Sequence, residues 1–256
     1  MLCFEQITAP WWDDKPVAIV GGGHSLVGFD FDSLKEFYVV AVKATMFDLP
    51  WATAGIGLDA PRYMEWAARF KTLSFPVYWA APANGGNKTV LMAGTEKADN
   101  VRFIQRVAGV NRLSDDPSFV YGGGTSSFAA LGLTVLKRAK WIGLFGLDYN
   151  AGTDQNFHRN EQHYIKQRIQ NGANWKLWAS YYDNIKDQLD TLGVKVINGS
   201  PNSSITAFPR MNPDVAVACL SNLCRLGSKR DGGVYGSACE SISPHDAEVS
   251  GSRAYP

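Results

Sequence analysis

The chain has 256 residues, with 25 Lys and Arg against 24 Asp and Glu, a net charge of +1. Its length allows one large domain or two small ones with a sizeable core, and 45% hydrophobic residues exclude global disorder. The balanced charge argues against a polybasic nucleic-acid binder, and no apolar run reaches the roughly 20 residues of a membrane span.

Short apolar runs alternate with amphipathic segments. Val17–Val20, Tyr38–Val42, Pro76–Ala81, Trp141–Leu147 and Val194–Ile197 read as strands, with Ala54–Leu58 and Phe119–Tyr121 weaker. Continuous β-rich runs of this kind suit strands covered on both faces, as in parallel sheets. Helices are predicted over Ala60–Phe70, with Pro61 in its first turn, over Thr95–Val110, over Thr125–Ala139 and over Asn174–Leu192. Gly193 supplies a stop after the last of these. The alternation predicts a Rossmann-like, doubly wound α/β domain with a mostly parallel sheet and helices on both faces.

All 8 Trp and 13 Phe lie at or before Phe208. The expected division is therefore a nucleotide-binding, transferase-like domain over 1–213 and a low-aromatic extension over 214–256, flexible or docked on a partner. Cys219, Cys224 and Cys239 with His245 match no zinc-finger spacing and read as unpaired tail thiols, so no metal site is expected. The N-terminal stretch has no basic region followed by an apolar one, so no signal peptide is expected. Four Cys in this length suit a reducing compartment. Trp11-Trp12 is expected to pack at the entry to the first strand.

In a doubly wound sheet, ligands sit at the carboxyl ends of the strands. Two glycine-rich loops fall there. Gly21-Gly22-Gly23-His24-Ser25 closes the first strand, and Gly122-Gly123-Gly124-Thr125-Ser126-Ser127 opens a helix. Glycines let backbone approach a phosphate, and hydroxyls at a helix N-terminus complete an anion cradle. A tight turn or a plain helix cap is the alternative for each. Lys43 follows the second strand and can face a phosphate or solvent. Asp148 ends the strand Trp141–Leu147, where a carboxylate can hold a substrate hydroxyl or cap a turn. Asp59 is a weaker case of the same kind. His158 and His163 follow in a loop and suit a general base near neutral pH, or a structural role. His24 carries less weight.

The segments VAIVGGGHSL…FDFDSL, YVVAVKATM and GTSSFAALGLTVLKRAKWIGLFGLDY, followed by a His-bearing loop and a long helix, resemble one family. It is the DUF115-like group of phage and prophage proteins, related to the bacterial lipooligosaccharide sialyltransferases and, more distantly, to archaeal hydroxymethylpterin pyrophosphokinases. The resemblance spans roughly Lys15 to Arg210. It implies metal-independent transfer of a glycosyl or related group from a nucleotide-activated donor of the CMP type, bound as a co-substrate rather than as a tight cofactor. Gly22, Gly23 and Ser25 would then lie against the donor, Ser126 would contact it, and Tyr149 or Asn150 would reach its phosphate. His158 or His163 would deprotonate the acceptor, a glycan, a modified DNA base or a virion protein. The chain departs from that pattern at Lys43 and Asp59, where the family has Asn, and in histidines that precede the last helix. Two alternatives stay open: a virion or assembly component that keeps the fold without turnover, and a Mg²⁺-dependent pyrophosphokinase using Asp148 and Asp59. The resemblance implies a cytoplasmic location, that of the host if phage-encoded, or the virion. A homo-oligomer is also open.

Overall fold

The computed structural model describes residues 2–83, 92, 94–109, 112–150 and 174–227. Eight strands form one open sheet: β1 (Val17–Val20), β2 (Tyr38–Val42), β3 (Ala54–Gly57), β4 (Val77–Pro82), β5 (Val101–Val107), β6 (Phe119–Tyr121), β7 (Trp141–Phe145) and β8 (Lys195–Asn198). Their order is β6-β5-β4-β3-β2-β1-β7-β8, and every pairing is parallel. The expected Rossmann-like α/β architecture is therefore present. The chain lays strands outward from β1 to β6, then returns to build β7 and β8 on the other side of β1. The order reverses between β1 and β7, and in doubly wound sheets such a switch point is where ligands bind, outside the carboxyl ends of the strands.

Alternation within each strand sends neighbours to opposite faces. Val17, Ile19, Val40, Ile56 and Ala80 join one core, and Ala18, Val20, Val39, Ala41 and Trp79 join the other. Both faces are covered, so the strands read as unbroken apolar runs. On the first face lies α2 (Ser126–Leu136), in which nine residues from Ser126 to Thr134 are buried. Helix α3 (174–180) and α4 (Lys186–Thr191) contribute Ala179 and Leu189 to the same core. On the second face, α1 (Ala60–Phe70) turns Tyr63, Trp66 and Phe70 inward at helical spacing. Tyr63 meets Phe103 at 5.2 Å and Trp79 at 5.6 Å between ring centroids.

Helix α5 (Pro213–Gly227) also packs on this second face, with Ala216, Cys219 and Leu220 in the core. Residues 214–223, placed by composition in the extension, are thus docked through small and aliphatic side chains. A count of aromatics does not register such a helix. Residues 228–256, with Cys239 and His245, lie outside the described residues.

Two helices differ from expectation. The segment expected as a helix over Thr95–Val110 holds β5 instead, paired with β4 from Val77↔Val101 to Pro82↔Arg106. Val101 and Phe103 are buried while Arg102 between them is exposed, an alternation masked by the coincident spacing of Val101, Ile104 and Val107. The long helix expected over Asn174–Leu192 is broken into α3, a 3-10 turn (Asp183–Ile185) and α4. At the break, Tyr182 is fully buried and its hydroxyl reaches Tyr149. Gly193 does end α4, at φ +68, donating to the Asp190 carbonyl. Trp12 packs as expected, buried and stacked on Tyr38 at 5.9 Å.

The N-terminal segment crosses the far end of the sheet. Glu5 donates to Phe103, Ile7 to Pro117 and Trp12 to Lys137 through backbone groups. The Lys137 ammonium, buried at the end of α2, donates to the carbonyl of Thr8. Burial lowers the pKa of this amine, which faces carbonyls rather than an acid.

Candidate functional site at the carboxyl ends of the strands

The two glycine-rich loops meet at one dipeptide. Asp148 and Tyr149 follow β7, at the switch point between β1 and β7. The Asp148 carboxylate accepts from the Ser25 amide at 3.0 Å and from the Ser25 hydroxyl at 2.5 Å. The Tyr149 hydroxyl lies 2.7 Å from Thr125 Oγ1 and 2.6 Å from Ser127 Oγ. Asp148 therefore holds the first loop and Tyr149 the second. The turn between them is tight: Tyr149 has φ +50, a left-handed conformation that a side chain beyond glycine rarely adopts.

The first loop is packed against the β7 turn. Gly21 donates to the Phe145 carbonyl and Gly23 to that of Gly146, both at 2.8 Å. A Cβ on Gly23 would sit 2.6 Å from both Asp148 Oδ2 and the Gly146 carbonyl oxygen. These glycines let two strand ends approach each other. Gly22 lies half-buried between them. The Ser25 hydroxyl also lies 3.2 Å from Ser200 Oγ, and Ser200 accepts from the Leu147 amide at 3.2 Å. Ser203 and Ser204 complete the seam by donating to the carbonyls of Leu147 and Asp148.

The second loop caps α2. Thr125 is the N-cap, its hydroxyl accepting from the Phe128 amide at 3.2 Å. Gly124 is exposed with φ +72, and a Cβ there would meet Trp178 Nε1 at 2.6 Å. Trp178 and Trp175 of α3 lie edge to face at 5.4 Å, and Trp175 meets the Tyr149 ring at 5.8 Å. Burial raises the pKa of Tyr149 despite its hydroxyl partners. It raises that of Tyr182 well above the ordinary phenol value, with Tyr149 adding to the effect. Both therefore enter the network as neutral hydroxyls.

Lys43 also takes left-handed backbone, φ +57, at the end of β2. Its ammonium lies 2.7 Å from Asp59 Oδ2, and the pair is partly exposed. Asn150 donates through Nδ2 to the Asn202 carbonyl at 3.0 Å.

Four buried polar atoms around this dipeptide make no hydrogen bond among the described residues: His24 Nδ1, Ser126 Oγ, Asn150 Oδ1 and Trp175 Nε1. His24 precedes Ser25, Ser126 lies between Thr125 and Ser127, Asn150 follows Tyr149, and Trp175 packs on Tyr149. Leaving such an atom unpaired costs about 1–3 kcal/mol. The second glycine-rich loop indicated Ser126, and the family resemblance indicated Asn150. They gave His24 little weight and missed Trp175 and Trp178, whose Trp-x-x-Trp spacing was absorbed into a predicted helix face. Ser200 was also missed, for want of any local pattern.

His158 and His163 lie outside the described residues. No group of three or more His, Cys, Asp or Glu side chains suited to a metal ion occurs among the described residues. Nor is any helix there long and apolar enough to cross a membrane.

No protein-family model matches the chain, and no curated protein matches it. Among solved structures, one that it resembles is a sialyltransferase from Campylobacter jejuni in complex with a substrate analogue, CMP-3FNeuAc. The identity is 13% and the TM-score 0.42, over 79% of this chain and 87% of that one.

Proposed function

We propose that this chain is a glycosyltransferase-like protein that binds a nucleotide-activated donor in the crevice between its two glycine-rich loops. The observation that carries the reading is the set of buried polar atoms around Asp148-Tyr149 that have no hydrogen-bond partner among the described residues, at the switch point of an all-parallel sheet. Buried polar groups normally find partners, so four on residues next to or packed on the residues that join the two loops suit a polar ligand. The left-handed backbone of Tyr149 and Lys43, at the ends of β7 and β2, adds support, because such strain gathers at binding sites.

In this reading Asp148 positions rather than reacts: its carboxylate is occupied by Ser25 and fixes the first loop. Ser126 and Asn150 contact the donor, and the N-terminus of α2 favours its phosphate. His158 or His163 serves as the base toward the acceptor. The CMP type of donor, and an acceptor that is a glycan, modified DNA or a virion protein, come from the sequence resemblance. The alternative of a Mg²⁺-dependent pyrophosphokinase is less well supported, since Ser25 and Lys43 engage the two carboxylates it requires.

Thermal-shift and calorimetric titrations with CMP, UDP, GDP and their sugar conjugates, with and without Mg²⁺, test the reading. It expects a Mg²⁺-independent rise in melting temperature with at least one of them, strongest for CMP. A response that requires Mg²⁺ favours phosphoryl transfer. No response to any nucleotide overturns the reading and favours an assembly role, which co-sedimentation with capsids would then reveal.

A further inference from the structure

We propose that His24 is the group of the first glycine-rich loop that contacts a phosphoryl oxygen of the bound ligand, an inference that rests on the donor-binding reading above. In a typical glycine-rich loop the backbone N–H groups cradle the phosphate. Here three of them are committed within the protein: Gly21 donates to Phe145, Gly23 to Gly146 and Ser25 to the Asp148 carboxylate. The Ser25 hydroxyl is committed as well, to Asp148 and Ser200. Lys43, a cation at a nearby strand end, is paired with Asp59. The loop has thus exchanged most of its anion-binding donors for packing against the β7 turn.

Of the loop's two polar side chains, that of His24 is the one left without a partner among the described residues. The residue opens the short 3-10 turn His24–Leu26, and its carbonyl accepts from Val27, which fixes its backbone. Ser25, tied to Asp148 by two hydrogen bonds, anchors the turn from the other side. The imidazole is half-buried, and its Nδ1 is buried without a partner among the described residues. An imidazole nitrogen carrying a proton donates to a phosphoryl oxygen, as the missing backbone groups would. A ring on a backbone-anchored turn, with a buried nitrogen unpaired among the described residues and just past the carboxyl end of β1, is placed to replace them.

Three chains test this: the wild type, His24→Phe and His24→Asn. Phe keeps the bulk of the ring and removes its nitrogens, while Asn keeps an amide nitrogen near the position of Nδ1. The probes are CMP, UDP and pyrophosphate, titrated by calorimetry, with melting curves to confirm folding. Loss of a hydrogen bond to a charged ligand corresponds to a fall in affinity of about tenfold or more. His24→Phe is expected to show that fall and His24→Asn to recover most of it. In the wild type, the ring resonances of His24 are expected to shift on titration with each probe that binds. If the wild type binds CMP or UDP and His24→Phe binds it equally, with unshifted ring resonances, the His24 inference is overturned and the donor-binding reading stands. If the wild type binds none of the three probes, the His24 inference is overturned, and the donor-binding reading falls with it when GDP and the sugar conjugates also fail to bind.

Discussion

Asp148 and Tyr149 are adjacent in the chain yet hold different loops, Asp148 gripping Ser25 after β1 and Tyr149 gripping Thr125 and Ser127 before α2. The left-handed backbone at Tyr149 is the local cost of sending two neighbouring side chains to separate partners. The meeting of the two glycine-rich loops depends on this junction, and it can be tested one bond at a time.

The Ser25–Asp148 contact is buried on the carboxylate side, where Asp148 is 6% exposed. Ser25→Ala is expected to destabilise the fold by about 1–3 kcal/mol, because it leaves one carboxylate oxygen short of a donor. In a double-mutant cycle with Asp148→Ala, the two losses are expected to couple, the pair costing less than the sum of the singles. Chemical denaturation of the four chains measures this, and additive losses would show that the contact contributes nothing.

Tyr149→Phe removes the hydroxyl shared by Thr125, Ser127 and Tyr182. A loss of about 1–3 kcal/mol is expected in denaturant unfolding, together with weaker nucleotide binding, since the N-cap of α2 loses its tie to β7. A variant as stable as the wild type would mean that the three hydroxyls satisfy one another without Tyr149.

Gly124→Ala places a Cβ at φ +72, against the indole nitrogen edge of Trp178. Strain and crowding together are expected to cost about 1–3 kcal/mol, and the displaced indole should change the intrinsic tryptophan fluorescence. Gly193→Ala is the control: it carries φ +68 but open space around the Cβ, so it should show the strain cost without the fluorescence change.

Alkaline pH should unfold this chain through its buried tyrosines. Burial pushes the Tyr63 hydroxyl from 10.0 up to about 12, and raises Tyr78, Tyr149 and Tyr182 in the same direction. Between those values the native state keeps phenol protons that the unfolded state has shed. This stabilisation is therefore complete below pH 10 and is lost as pH rises toward about 12. Lys137 has the opposite sign, because its lowered pKa makes its contribution rise with pH up to 10.5, but it is one group against four. The Tyr63 hydroxyl has no hydrogen-bond partner among the described residues, so Tyr63→Phe should melt at or above the wild-type temperature near neutral pH and show a shallower alkaline decline. A parallel decline in the two chains would contradict this account of Tyr63.

Much of the fold was legible because the central strands are apolar on both faces. VAIV and YVVAV have no other comfortable place than the middle of a covered parallel sheet. Strands with polar positions were harder. β5 carries Arg102, Gln105 and Arg106, and its apolar residues Val101, Ile104 and Val107 coincide with a helical spacing, so period alone misassigned it. The break between α3 and α4 is set by Tyr182 reaching across the core to Tyr149, a partner 33 positions away that no local window contains. For the site, the glycine-rich loops were visible but their use was not. Gly21 and Gly23 serve the meeting of β1 with β7, a pairing that follows only once the strand order is known. His24 passed almost unweighted because a single histidine carries no spacing. Its significance comes from the commitments of its neighbours.

A crystal structure of this chain grown with CMP tests the central claim most directly. The account predicts nucleotide density in the crevice at the carboxyl ends of β1 and β7, with its phosphate within hydrogen-bond distance of His24 and its polar atoms paired with Ser126 Oγ and Asn150 Oδ1. An empty crevice at saturating CMP, with those atoms paired to ordered water or to one another, would contradict it.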